Sequence, residues 1–293
     1  MTILLTGTTG FVGRHVLPLL LAEGHLVIAL ARREIKAEPV PGWESVITVI
    51  GDVATGQGFD EIPWAELDAV IHLAASGVKA SHRVWADAVA VNVVGTQRLL
   101  AAIKTKAMRT PTVFVARTFY EPLTAQAPAL LENPYIATKQ AASELAALWA
   151  ETYAGSTVLG TFFQVYGPDD ASGNVLNYAA RELKAGRPAI FGSGRGLRDW
   201  IYITDAAAAV VASVKTASNH LSEVDIGTGA LVTIRTAIEA LASESGQAEA
   251  VLTFDPAKDR ADVDLHLAAT ARPANWSPAL TLRQGLKFLY EKS

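Results

Sequence analysis

The stretch "TILLTGTTGFVG", residues 2 to 13, constrains this chain more than any other. An apolar β-type run passes directly into Gly7, Gly10 and Gly13, and helical periodicity begins at once in "FVGRHVLPLLLAEG". Glycines at a strand-to-helix turn permit a tight bend, let backbone approach a pyrophosphate closely, and allow close helix packing. The spacing is G-x-x-G-x-x-G rather than the commoner G-x-G-x-x-G, and an ordinary tight βα turn is the competing account. With a strand before and a helix after, the pattern predicts a dinucleotide site made of Gly7, Thr9, Gly10, Phe11, Val12 and Gly13.

The rest of the chain extends this unit. Short β-branched runs ("LVIALA", "SVITVIGD", "AVIHLAA", "PTVFVA", "STVLGTFF") alternate with alanine- and leucine-rich helical stretches ("ADAVAVNVVGTQRLLAAIK", "TKQAASELAALWAETYA"). That alternation predicts βαβ units and a doubly wound parallel sheet of the Rossmann type. After Tyr166 the rhythm gives way to loop-like segments such as "FGSGRGLRD". The expected organisation is a dinucleotide-binding domain over residues 1–165, with 200–226 returning to it. A smaller substrate-binding lobe is expected from 166–199 and 227–293.

Composition excludes several classes. The formal charge is −4, from 25 basic and 29 acidic residues, and no run of Lys and Arg suits a nucleic acid partner. The chain has no cysteine, so neither disulfides nor thiolate chemistry is available, and its six histidines show no metal-ligand spacing; no metal is expected. Apolar runs such as "LPLLLAEGHLVIALA" are interrupted by Glu23, Gly24 and His25, so no membrane span is expected, and with no signal peptide the simple reading is a cytoplasmic protein. At 293 residues the chain buries about 75% of its unfolded surface.

The cofactor can be read further. In NAD sites an acidic residue at the end of the second strand holds the ribose hydroxyls. Here the chain reads Leu30, Ala31, Arg32, Arg33, which favours the 2′-phosphate of NADP over NAD, a solvated loop being the competing account. Asp52 and Val53 suit the adenine edge, and Leu73, Ala74 and Ala75 the ribose, with strand-end packing as the alternative. His72, inside an apolar strand, reads as a core histidine.

Tyr135 and Lys139, four residues apart in "PYIATK", share a helix face. A lysine beside a phenol favours the phenolate and lowers the tyrosine pKa, which suits acid–base work.

The ordered motifs "TGTTGFVG", "GDV", "IHLAA", "NVVGTQRLL", "PYIATK", "VYGP", "GSGRGLRDWIYITDAA", "DIGTGALVTI" and "TLRQGL" cover nearly the whole chain. In them the sequence resembles the extended short-chain dehydrogenase/reductase family, in its nucleotide-sugar epimerase, dehydratase and reductase branch. The resemblance implies an active Tyr135, a Lys139 that also binds the nicotinamide ribose, Asn92 on the cofactor side, and a hydroxyl after the fifth strand. Counting from the strand "VFV" with a two-residue deletion gives Thr118; counting back four from Tyr120 gives Ala116. The strand count is preferred, since loops tolerate deletions more readily than strands. A glycine usual after that tyrosine is replaced by Glu121.

The resemblance further implies a nucleoside-diphosphate sugar held by Gln164, Asn174, Arg198 and Arg260, the two arginines on the diphosphate; salt bridges to Asp199 or Asp262 are the competing account. Gln164 stands for a usual asparagine and Thr161 for a usual arginine. Dehydratases carry an Asp-Glu pair after the active threonine, where this chain has Phe119 and Tyr120, and the GDP-fucose epimerase-reductases need a cysteine. The expected reaction is NADP-dependent reduction of a nucleoside-diphosphate-linked 4-keto-6-deoxyhexose. The alternatives are an NAD-dependent UDP-sugar 4-epimerase, a reductase of non-sugar carbonyl compounds, and a catalytically silent NADP-binding protein. The helices around Asn92 to Ala102 and Ala141 to Trp149 suit a homodimer interface by the same resemblance, or burial within one chain.

Overall fold

The computed structural model describes residues 1–34, 43–153, 155–170, 173–217, 221–246 and 252–292; Ala154, at the end of a predicted helix, lies outside them. The chain runs β1 (Thr2–Thr6), α1 (Gly13–Ala22), β2 (Leu26–Ala31), β3 (Val46–Ile50) and β4 (Ala69–His72). A helical stretch follows: α2 (Trp85–Ala88), a π-helical turn (Val89–Val94) and α3 (Gly95–Lys106). Then come β5 (Thr112–Thr118), α4 (Pro134–Tyr153), β6 (Thr157–Phe162), β7 (Gln164–Tyr166), α5 (Val175–Lys184), β8 (Ala189–Phe191) and β9 (Leu197–Tyr202). The chain ends with α6 (Ile203–Lys215), β10 (Leu221–Ile226), β11 (Leu231–Thr233), α7 (Ile234–Glu244), β12 (Leu252–Phe254) and α8 (Leu282–Lys292).

Seven parallel strands form the main sheet in the order β10-β6-β5-β4-β1-β2-β3. Strand order reverses between β1 and β4, and a crevice opens beyond the carboxyl ends there. Alternation along each strand feeds two cores. Ile3 and Leu5 pack with Val16, Leu20, Phe114 and Val210, on the face covered by α1 and α6. Leu4 packs with Ile28, Val113, Leu99, Ile103 and Trp149, on the face covered by α3 and α4. Each fully buried aliphatic side chain contributes about 1.5–3 kcal/mol to holding these layers.

β9 pairs with β7 and β11 in a separate three-stranded sheet, and α6, which follows it, packs into the first core of the large sheet. A two-stranded sheet of β8 and β12 and a third core, with Leu176, Leu183, Ile238, Leu241 and Leu286, complete the smaller lobe.

One expectation from hydropathy is corrected. Trp85–Lys106 forms a continuous 22-residue helical stretch that by length and composition alone could cross a bilayer. Its Leu99, Leu100, Ala102 and Ile103 pack into the second core, as expected of a layer helix in an α/β fold.

Candidate active site

A cavity of about 790 Å³ opens at the strand-order reversal and is roofed by the smaller lobe. Its floor is the β1–α1 turn, where Gly7, Gly10, Phe11, Val12 and Gly13 all line it. Gly7 has φ +72°, and a Cβ there would stand 2.6 Å from Ala74 N and Leu73 C. A Cβ on Gly13 would meet Gly7 O at 2.2 Å. Only glycine leaves this turn closed enough to present bare backbone at the start of α1. Thr9 is exposed on the same turn, and Leu73 and Ala75 line the cavity across it. Ala74 instead donates its N–H to Thr6 Oγ1 at 3.2 Å.

The other cofactor-side candidates lie further out. Arg32 and Arg33 are exposed immediately after β2, with Ala31 completing the strand. Asp52 caps its own turn, its Oδ1 accepting Ala54 N–H at 2.8 Å. Val53 is buried, and Gly95 passes so close that a Cβ there would lie 2.9 Å from Val53 Cγ2. Asn92 lies in the π-helical turn with its side chain fully engaged: Oδ1 accepts Ser76 N–H at 2.8 Å, and Nδ2 donates to Ser76 O and Thr138 Oγ1. It is 1% exposed and ties the Ser76 loop to α4.

Asn133 fixes the start of α4 by accepting Tyr135 N–H at 3.0 Å, and Pro134 occupies the first helical position, where its missing N–H costs nothing. Tyr135 and Lys139 then project from one face of α4 into the cavity. Ala116 and Thr118 both line the opposite wall, since residues two apart on β5 share a face. Only Thr118 of these two carries a hydroxyl, and it lines the cavity together with Tyr135. The structure therefore brings Thr118, Tyr135 and Lys139 together.

Their electrostatics differ from the expected pattern. Burial raises the Tyr135 pKa above its ordinary value of 10 and Glu121 adds to the rise, while the Thr118 hydroxyl draws it down. Burial lowers the Lys139 pKa; Glu121 pulls it back up and Arg117 pushes it down. The lowered tyrosine pKa expected from Lys139 is thus replaced by a phenol that keeps its proton at neutral pH, because desolvation penalises the phenolate. His72 is buried, bonded to Thr6 Oγ1 at 2.7 Å and Thr96 Oγ1 at 3.0 Å, and burial pushes its pKa down to about 3.

That depressed value has a stability consequence. A neutral buried imidazole contributes fully above the unfolded pKa of about 6.5, and the contribution is lost as pH falls from there toward 3. Urea midpoints should show about 2 kcal/mol less stability from His72 at pH 5 than at pH 7, and His72→Gln should remove that part of the pH dependence.

The smaller lobe supplies Asn174, Arg198 and Arg260, and Gln164 lines the cavity between the lobes. Asn174 caps α5, its side chain accepting Leu176 N–H and donating to Val165 O. Arg198 is buried and donates to Leu197 O and Leu265 O, not to Asp199, which is spent on Thr228, Gly229 and Ala269. Arg260 pairs with Asp262 through two contacts of 2.9 and 3.2 Å. Asp262 also accepts from Tyr120 OH at 2.9 Å, and burial helps push the Tyr120 pKa up to about 12. Phe119 is buried against Leu123, Phe163 and Ala269, so no acid–base carboxylate pair follows Thr118.

A sequence profile of the NAD dependent epimerase/dehydratase family matches residues 3–227. The chain belongs to this family. The epimerase/dehydratase fold extends to its full length: a UDP-glucose 4-epimerase from Thermotoga maritima superposes with a TM-score of 0.81 at 22% identity, covering 100% of this chain and 98% of that one. Among curated relatives, a probable UDP-glucuronate 4-epimerase of Rhizobium meliloti is 32% identical over 234 residues, 72% of this chain and 67% of its own. A CDP-abequose synthase of Salmonella muenchen is 25% identical over 296 residues, spanning 97% of this chain and 95% of its own. The family member described here is thus an NAD(P)-dependent enzyme.

Proposed function

We propose that this enzyme reduces a ketone at C4 of a nucleoside-diphosphate-linked 6-deoxyhexose, using NADPH. The observation that carries the direction and the cofactor is the end of β2, where Ala31 removes the ribose-binding acid and Arg32 and Arg33 stand exposed to meet a 2′-phosphate. When bound, reduced nicotinamide supplies hydride to the ketone carbon. Tyr135 transfers its phenolic proton to the carbonyl oxygen, completing the alcohol, and Thr118 hydrogen-bonds that same oxygen. Lys139 stabilises the tyrosinate left behind and holds the cofactor ribose. A phenol that stays protonated at neutral pH suits this direction, since a reductase needs an acid at the reacting oxygen. Arg198 and Arg260 take the diphosphate, for which planar guanidiniums supply paired donors.

The names of the relatives favour a second reading, a UDP-sugar 4-epimerase. An epimerase regenerates its cofactor within each turnover, so it consumes no NADPH. Following NADPH oxidation against a panel of nucleotide-linked 4-keto-6-deoxyhexoses, with NADH alongside, should show stoichiometric NADPH consumption with at least one panel member. Sugar interconversion at C4 without consumption, by protein that purifies with NAD, would establish the epimerase instead.

A further inference from the structure

Glu121 is a carboxylate where a tight turn needs only a small residue. Glu121 N–H donates to Thr118 O at 3.0 Å and closes the turn after β5. The side chain folds back over that turn, so that Oε1 accepts Thr118 N–H at 2.8 Å. Its Oε2 accepts Arg117 Nε at 3.2 Å, with the carboxylate side chain 2% and the arginine 16% exposed. Arg117 Nη1 continues to Glu223 on β10 at 2.7 Å. The turn is also bound to α4: Thr124 Oγ1 donates to Glu121 O at 2.8 Å and to Gln140 Oε1, next to Lys139, at 2.9 Å.

We propose that Glu121 is a positioning residue for the reduction: its carboxylate, held by Arg117 and the Thr118 N–H, fixes Thr118 on the cavity wall that Tyr135 and Lys139 also line and places a buried negative charge behind that wall. A buried carboxylate is costly, and removing one partner of such a pair is costlier still. A turn cap alone asks only for an acceptor, which an uncharged side chain provides. Arg117 (β5) is the cation in contact with the carboxylate; within the site the charges of Glu121, Arg83 (the loop before α2) and Tyr120 act on the Tyr135 phenol, and those of Glu121 and Arg117 on Lys139 (α4). Glu223 and Glu144 lie on the outer side, where they line a small cavity with Arg117 and Glu121. Burial acts first on both catalytic groups; after it, Glu121 raises Lys139 and Tyr135 alike, while Arg117 lowers Lys139.

This role rests on the reading of Tyr135 as proton donor. Glu121→Gln keeps the acceptor for Thr118 N–H and removes the charge; Arg117→Gln removes the opposing cation. The two variants move the site in opposite directions. In protein labelled with 13C at lysine Cε, with the resonance assigned through Lys139→Met, Lys139 should titrate about one pH unit lower in Glu121→Gln, and higher than wild type in Arg117→Gln. The alkaline limb of kcat/KM for NADPH and the ketosugar best reduced in the panel should shift the same way, since a tyrosine or lysine that loses its proton earlier ends catalysis at lower pH. An unmoved Lys139 resonance, shifts of the same sign in both variants, or a moved resonance with an unmoved kinetic limb would overturn the proposal. Turnover surviving in Tyr135→Phe would instead overturn the reading it rests on, leaving the NMR coupling in place. Circular dichroism on both variants identifies loss of fold, and the opposite signs of the shifts are an outcome a purely structural defect does not produce.

Discussion

Replacing Tyr135 by phenylalanine should lower kcat for ketosugar reduction by about a thousandfold while leaving KM within a few fold, because a positioned general acid contributes about 10²–10⁴ in rate. The reasoning is geometric. Tyr135 leaves the first turn of α4, whose start Asn133 and Pro134 fix, and lines the cavity together with Thr118. Phenylalanine preserves the buried ring and removes only the proton donor, so the loss falls on the transition state rather than on binding. NADPH binding, read by nicotinamide fluorescence, should persist in the variant. Unchanged turnover would exclude Tyr135 as the acid and assign proton donation to another group of the site. Thr118→Val should cost less, about ten- to a hundredfold, since it removes a hydrogen bond to the same oxygen while leaving the proton donor in place.

Much of this site is legible in the sequence for local reasons. The glycine turn announces itself because three glycines fall between an apolar strand and a helix, and Tyr135 and Lys139 announce themselves because four-residue spacing on a helix is one face. Residues 116 and 118 are harder to separate, since strand period two places both in the cavity and only the hydroxyl of Thr118 distinguishes them. β10 is obscured by its polar residues Ser222, Glu223 and Asp225, which belong to an edge strand and break the apolar signature. The three-residue strands of the smaller lobe are too short for any periodicity to register. Tyr120 and Asp262 meet across 142 residues of sequence, and the Arg117–Glu121–Glu223 chain joins β5 to β10. No local pattern encodes contacts of that span, so the departure at Glu121 is visible in the sequence while its partners are not.

Changing Arg32 and Arg33 together to serine should reduce the preference for NADPH over NADH, as a ratio of kcat/KM values, by about ten- to a hundredfold. A hydrogen bond to a charged group is typically worth about 1.5–3 kcal/mol, and about 1.4 kcal/mol is a factor of ten. Both guanidiniums stand exposed at the end of β2, and among the described residues neither has to leave a buried ion pair to close on a phosphate. Loss should appear in KM for NADPH, because the adenosine phosphate lies far from the hydride and its binding is equal in ground and transition states. Adding Ala31→Asp should restore turnover with NADH by supplying the acid that grips two ribose hydroxyls. Raising ionic strength should narrow the wild-type preference and leave the serine variant nearly unaffected, since exposed charges are screened over about 8–10 Å at physiological salt. A cofactor ratio that survives the double substitution would place the 2′-phosphate elsewhere and remove the main support for reduction over epimerisation.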